Sequence, residues 1–163
     1  MKFVACIGSR AINSEEQNLC YKIGQFLSQN YNIKTGNAIG ADQAYARGVN
    51  SINPTQLYLY LPWKKYNNNA IVSGNNVFYE PYKDWFLIAK EIHLYWDSLG
   101  LGGRSLHARN VGIVENVEFV IALPNISNGG GTVMGMRLAT KNNIPVYNLR
   151  DKKIREEWKN LVM

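Results

Sequence analysis

The sequence predicts an α/β protein with an open, mostly parallel sheet of about five strands and helices on both faces. Three observations carry that prediction. Short β-branched apolar runs alternate with amphipathic helical stretches along the whole chain. Three strand-to-helix turns carry glycine beside a small polar or charged residue: Gly8-Ser9-Arg10, Gly40-Ala41-Asp42 and Gly130-Gly131-Thr132. Finally, Leu106 to Arg150 contains a complete strand–turn–helix–strand unit of about 30 residues. There, Val117 to Leu123 reads as a buried strand. Val133, Met136, Ala139 and Thr140 recur at helical spacing, and Ile144 to Leu149 reads as the next strand.

The other elements follow in order. Phe3 to Ile7 is a short buried strand that runs into the first glycine turn. Ser14 followed by Gln17 has the spacing of a capped helix start, and Leu19, Ile23, Phe26 and Leu27 give that helix its apolar stripe. Tyr31 to Thr35 is the second strand. The helix after Gly40 carries Ala41, Ala44, Tyr45 and Gly48, side chains small or flat enough to pack closely on a sheet. Gln56 to Leu61 is the third strand. Residues 64–82, with Asn67-Asn68-Asn69, Gly74 and Pro81, read as an irregular lid or binding loop. Lys83 to Asp97 reads as a helix with Trp85, Ile88, Ala89, Ile92 and Trp96 on its apolar side, broken by Gly100, Gly102 and Gly103. A short helix spans Ser105 to Asn116. Asp151 caps a last helix that turns Ile154, Trp158 and Leu161 inward. The expectation is one domain over 1–163, with a loop-plus-helix insertion at about 64–104.

Composition narrows the partners. The chain is 46% apolar and carries a net charge of +6, with 18 Lys+Arg against 12 Asp+Glu. That balance favours anionic partners such as nucleotides or nucleic acid, although no basic run resembling an arm or tail occurs. Cys6 and Cys20 fall in a predicted strand and helix without metal-ligand spacing, which fits two reduced core thiols in the cytoplasm. With neither a signal-peptide pattern nor an 18-residue apolar stretch, the expectation is a cytosolic protein with no membrane partner.

The candidate site residues collect at the turns. In an open parallel sheet these turns share one edge, so all three can face one crevice. Bare amides at Gly130, Gly131 and Thr132, at the start of a helix, suit a phosphate; the competing reading is a tight turn needing positive φ. Ser9 and Thr132 offer hydroxyls, and Arg10 offers a fork for phosphate or carboxylate. Asp42 is either an acceptor for a ribose hydroxyl or a helix N-cap. Gly8 and Gly40 shape the first two turns. A second, aromatic and basic group comprises Trp63, Lys64, Lys65, Tyr66, His93, Trp96, His107 and Arg109. A base stacked on Trp63, with a phosphate on Lys64 or Arg109, would form a nucleotide site. His93 and His107 read equally as structural, and no residues stand at metal-ligand spacing. None of the turns is a Walker loop or a GxGxxG fingerprint, and no catalytic triad is suggested.

Taken in order, several motifs resemble the SLOG superfamily, the Rossmann-like group uniting DNA-processing protein DprA with the LOG phosphoribohydrolases. They are Gly8-Ser9-Arg10, Gly40-Ala41-Asp42, Leu61-Pro62-Trp63-Lys64, His93 with Trp96, Leu106 to Asn110, Gly130-Gly131-Thr132 and Ile144 to Leu149. The likeness spans essentially the whole chain and is greatest to small phage-encoded DprA-like members. It implies a nucleotide or nucleotide-derived ligand on the glycine turns, with no cofactor. It also implies a homo-oligomer and, for a phage protein, location in the host cytoplasm. The LOG motif Pro-Gly-Gly-x-Gly-Thr-x-x-Glu is kept at Gly131-Thr132, but Ser127 and Asn128 replace its first two residues and Gly135 stands at the glutamate. Arg109 matches the LOG arginine. An arginine without the carboxylate implies binding rather than hydrolysis, as in a sensor or an anti-defence protein that sequesters an immune nucleotide. Two alternatives stand beside it. One is a LOG-like nucleotide N-glycosidase, with Arg109 steering phosphate, Asp42 or Glu115 assisting, and Glu80, Glu115 or Glu118 standing in for the missing carboxylate only if the fold brings one close. The other is a DprA-like mediator that binds single-stranded DNA.

Overall fold

A computed structural model describes residues 1–127 and 129–163. Asn128, one of the two replacements at the head of the LOG-like motif, lies outside the described residues. Twelve main elements follow the chain: β1 (Phe3–Gly8), α1 (Ser14–Leu27), β2 (Asn32–Thr35), α2 (Ala41–Ile52), β3 (Leu57–Tyr60), β4 (Asn76–Phe78), α3 (Lys83–Ile92), α4 (Leu101–Val114), β5 (Val120–Leu123), α5 (Gly131–Lys141), β6 (Val146–Asn148) and α6 (Lys152–Val162). The strands form one six-stranded sheet in the order β4-β3-β2-β1-β5-β6. Every neighbouring pair is parallel. The α/β, open, Rossmann-like sheet expected from the sequence is therefore present, with one strand more than expected.

Side-chain alternation builds two cores from this sheet. Along β1, Val4 and Cys6 face α1, α2 and α6, while Ala5 and Ile7 face α3, α4 and α5. Along β5, Ile121 and Leu123 join the first core, and Val120 and Ala122 the second. Burial on both faces is what turns parallel strands into near-continuous apolar runs. Lys34 of β2 is the exception. Its Nζ donates to Gly112 O at 3.1 Å and to Glu115 O at 2.8 Å, and it lies over the rings of Phe3 and Tyr60. Burial pulls its pKa down. These bonds occupy the last carbonyls of α4, where a cation also complements the helix dipole.

Connectivity places the site. From β1 the chain moves outward through β2, β3 and β4, then returns by way of α4 to β5 on the other side of β1. The loops after β1 and β5 therefore diverge, and a crevice opens at their carboxyl ends.

The structure corrects several local readings. Residues 64–82 are not all irregular, because Asn76–Phe78 pairs with β3 as the edge strand β4. The helix expected over Lys83 to Asp97 ends at Ile92, and Trp96 lies in a separate 3-10 turn. Trp96 and His93 therefore do not share a helix face. The helix expected from Ser105 begins at Leu101, because Gly102 and Gly103 sit in its first turn instead of breaking the chain. Asn13, not Ser14, caps α1. Its side chain accepts from Glu16 N–H while Glu16 accepts from Asn13 N–H, completing a capping box. On α5 the buried positions are Met134, Gly135, Leu138 and Ala139, so the apolar face is offset from the expected one and Thr140 is exposed. The strand expected from Val117 starts at Val120. Asp151 does cap α6, but Leu161 faces solvent.

Candidate functional site

A cavity of about 370 Å³ occupies the carboxyl edge of the sheet between β1 and β5. It is lined by the turn after β1 (Ile7 to Ala11), by Ala38 and Asp42, by α4 through Leu106, Arg109, Asn110 and Val114, and by the turn into α5 (Asn125, Gly129 to Thr132 and Gly135). Of the sequence-selected residues, Gly8, Ser9, Arg10, Asp42, Arg109, Asn110, Gly130, Gly131 and Thr132 meet here. Gly40 supports the site from behind, while Trp63 and Lys64 lie outside the lining.

Asp42 is the floor's carboxylate. It lies in the first turn of α2 and is only 5% exposed. Its Oδ1 accepts from Gly8 N–H and its Oδ2 from Ala38 N–H, each at 3.2 Å. One side chain therefore ties the ends of β1 and β2 to α2. Burial pushes its pKa up to about 6, against the opposing pull of Arg109 and of backbone donors at Ala38, Gly8 and Gly36. A buried carboxylate with this balance inside a cavity marks a functional-site candidate.

Arg109, also 5% exposed, arrives from the middle of α4. Its Nη1 donates to Gly36 O at 2.6 Å and Tyr60 O at 2.8 Å, and its Nε to Asn110 Oδ1 at 2.9 Å. The guanidinium lies over the Tyr66 ring. Three of its donor contacts thus join β2, β3 and α4, and among the described residues Nη2 makes no hydrogen bond. Asn110 continues the chain of contacts by donating from Nδ2 to Gly131 O at 3.3 Å, which locates the start of α5.

Two glycines permit this assembly. At Gly36 a Cβ would lie 2.7 Å from Arg109 Nη1 and 2.9 Å from Asp42 Oδ2. Only a residue without a side chain lets both charged groups approach the end of β2. At Gly40 the backbone has φ +93, and a Cβ would lie 2.6 Å from Ser9 O. That contact lets Ala41 N–H donate to Ser9 O at 3.0 Å, docking α2 on the first turn.

The anion-facing wall is the turn into α5. Gly130 has φ +89 at the start of α5, and among the described residues no side chain caps that helix or accepts from its first N–H groups, which open on the cavity. Across the gap, Ser9 Oγ accepts from Ala11 N–H at 3.0 Å, and the exposed Arg10 stands at the rim. Beneath them, Ile7, Leu106, Val114 and Gly135 form an apolar inner wall. Gly36, Ile7 and Val114 were not singled out in the sequence as site residues, and Leu106 and Gly135 were noted only for their places in motifs. A glycine at a strand end and apolar residues in a strand or helix carry no local sign of facing a ligand.

The remaining candidates lie apart. Trp63 packs edge-on against Tyr66 at 5.2 Å and is otherwise exposed. His93 and His107 have ring centroids 4.3 Å apart. His93 Nδ1 accepts from Tyr95 N–H, and His107 Nδ1 meets Met134 Sδ at 3.1 Å. Burial, aided by His93 and Arg109, pushes His107 down to about 4, so it is neutral at pH 7. Among the described residues no group of three His, Cys, Asp or Glu could hold a metal. None of Glu80, Glu115 and Glu118 lines the cavity. Glu115 instead accepts from Trp85 Nε1, and Glu118 pairs with Lys2. Cys6 and Cys20 are both free and buried. No helix among the described residues is long and apolar enough to cross a membrane.

No family model matches the chain, and no curated protein sequence matches it. Solved structures do. DNA processing protein A of Helicobacter pylori, described for its single-stranded DNA binding mode, superposes with a TM-score of 0.66 at 18% identity, over 98% of this chain and 80% of that one. DNA processing protein A of Streptococcus pneumoniae gives 0.63 at 19% identity, over 90% of this chain and half of that protein. A molybdenum cofactor binding protein of Rippkaea orientalis gives 0.58 at 21% identity, over 99% and 84%. A structural-genomics protein, TM1055, gives 0.60 at 19% identity, over 90% and 72%. These likenesses show the fold of this chain, an open, parallel, Rossmann-like α/β sheet.

Proposed function

We propose that the protein binds a nucleotide or nucleotide-derived ligand in the cavity between β1 and β5. The observation that carries this reading is the pairing, across one cavity, of a helix N-terminus that no side chain among the described residues caps with a buried carboxylate. The bare amides of α5 take a phosphate, as backbone N–H groups at a helix start do for any oxyanion. Asp42, on the opposite wall, accepts a hydroxyl or amine from the sugar or base. The apolar wall at Ile7, Leu106, Val114 and Gly135 receives the less polar part of the ligand. Two of the solved neighbours, one described for its single-stranded DNA binding mode and one as a molybdenum cofactor binding protein, are consistent with ligand binding by this fold.

Binding without hydrolysis is the form of this proposal that the site chemistry favours. A LOG-like N-glycosidase uses a glutamate where this chain has Gly135, and a side chain there would press on Ile7, whose Cδ1 lies 3.0 Å from the Cβ position. One observation favours the enzyme reading, namely the buried Asp42 with its pKa near 6, close to what a general acid or base needs. Native mass spectrometry of the purified protein, followed by denaturing extraction, separates the two. An intact nucleotide recovered from the protein supports binding. Free base appearing from a nucleoside-monophosphate panel, and lost in Asp42→Asn, would establish catalysis instead. A protein that binds no nucleotide but binds single-stranded DNA, with affinity falling steeply with salt, would overturn both in favour of a backbone-phosphate mode.

A further inference from the structure

The turn that leads from β5 into α5 is costly to hold in one shape. It includes Gly129 and Gly130, and glycine gives up more conformational freedom on being fixed than any other residue. Inside the turn, Asn125 Oδ1 accepts from the N–H and the hydroxyl of Ser127, a local and exposed arrangement. Among the described residues, two side chains reach the turn from elsewhere in the chain. Asn110 holds its far end through Gly131 O. Arg150 holds its near end, where Nε donates to Pro124 O at 2.7 Å. Holding that carbonyl fixes the plane of the Pro124–Asn125 peptide and so the direction in which the chain enters the cavity wall at Asn125.

Arg150 does not line the cavity, so it acts from behind. It lies in the turn between β6 and α6, and its own backbone is secured. Its N–H donates to Asn148 Oδ1 at 2.9 Å, and Leu149 N–H donates to Ala122 O of β5 at 2.8 Å. The guanidinium is held in turn by Glu16 of α1, whose Oε2 accepts from Nη1. The other oxygen of Glu16 closes the capping box of α1 by accepting from Asn13 N–H. The two charged side chains are only 18% and 13% exposed, so solvent screens the pair little. A line of hydrogen bonds therefore runs from the capped start of α1, through Glu16 and Arg150, to the first residue of the glycine turn.

We infer that Arg150 is a positioning residue for the ligand phosphate, holding the turn into α5 in its binding shape without touching the ligand. The inference rests on the phosphate seat proposed above. A turn set before the ligand arrives saves binding the entropy of ordering it. Calorimetric titration of the full chain with the four ribonucleoside 5′-monophosphates, together with amide hydrogen exchange of the ligand-free protein, tests it. Arg150→Met is expected to weaken the monophosphates about tenfold, the scale of one hydrogen bond to a charged group. Its amides over residues 124–132 should exchange faster than in the wild type, while those of α2 and α3 keep their rates. Lys159→Met is the control. It breaks the neighbouring ion pair between α6 and α1, Lys159 with Glu15 at 2.7 Å, and should change neither reading. Glu16→Gln/Arg150→Met strands no buried carboxylate, and it should show the same losses even where Arg150→Met alone does not fold. The inference is overturned if removal of Arg150 leaves monophosphate affinity or exchange of the turn unchanged, or if Lys159→Met gives the same losses. A wild type that binds none of the monophosphates overturns the phosphate seat itself, and the inference with it.

Discussion

Gly36, Asp42 and Arg109 are the residues on which the cavity depends, and each constrains the next. Gly36→Ala would push a Cβ to 2.7 Å from the Arg109 guanidinium and 2.9 Å from Asp42, both buried. The expected cost is about 1–3 kcal/mol in urea unfolding, together with loss of ligand affinity, because the two charged groups must shift apart. Asp42 gives a pH signature. Its pKa rises from the ordinary 3.8 to about 6 on folding, so between those values the folded chain holds a proton that the unfolded chain has released. The stabilisation from that proton is complete below about pH 4 and is lost as pH rises through about 6. Asp42→Asn has no such proton. The unfolding free energy of wild type minus variant is therefore expected to fall across this window by up to about 3 kcal/mol, and a difference independent of pH would refute the assignment. In the sequence, Asp42 stood out as a charged residue beside a glycine turn, and Arg109 as part of the aromatic and basic group and by its match to the LOG arginine. Gly36 did not, since its role depends on two side chains that only the folded sheet brings to it.

Element boundaries were legible where local chemistry fixes them and obscure where packing does. The Asp151 cap of α6 and the helix after Gly40 follow from side-chain and backbone geometry within a few residues. At α1 the reading slipped by one residue, since Asn13 and Ser14 are both good caps and only the reciprocal bond with Glu16 decides between them. Asn13→Ala is accordingly expected to cost about 1 kcal/mol in urea unfolding, whereas Ser14→Ala should cost far less. The edge strand β4 stayed hidden because its three residues form a strand only by pairing with β3. Gly102 and Gly103 misled for the opposite reason, their weak helix propensity being overridden by packing of α4 against α3 and the sheet. For α5 the decisive feature is a start that no side chain among the described residues caps. Proline is tolerated at the first helical position, so Gly131→Pro removes one bare N–H while keeping the helix. The loss of one hydrogen bond to a charged group should weaken phosphate binding about tenfold.

At the scale of the molecule, the order β4-β3-β2-β1-β5-β6 does what no single residue can. It splits the chain's path at β1 and leaves the turns after β1 and β5 facing each other across a crevice. The sequence implied this through its alternation of strands and helices and its three glycine turns, all of which the parallel sheet delivers to one edge. It did not show which aromatic and basic residues would reach that edge, and Trp63 and Lys64, adjacent in sequence to a strand end, stand outside the cavity. The net charge of +6 favours anionic ligands at the crevice. The central claim is that the bare amides of α5 hold a ligand phosphate, and calorimetric titration of wild type and Gly131→Pro with nucleoside mono- and diphosphates tests it most directly. The expected result is one site per chain in the wild type, weakened about tenfold in the variant with no change in fold. Equal affinity in the two proteins, or no binding by the wild type, would contradict it.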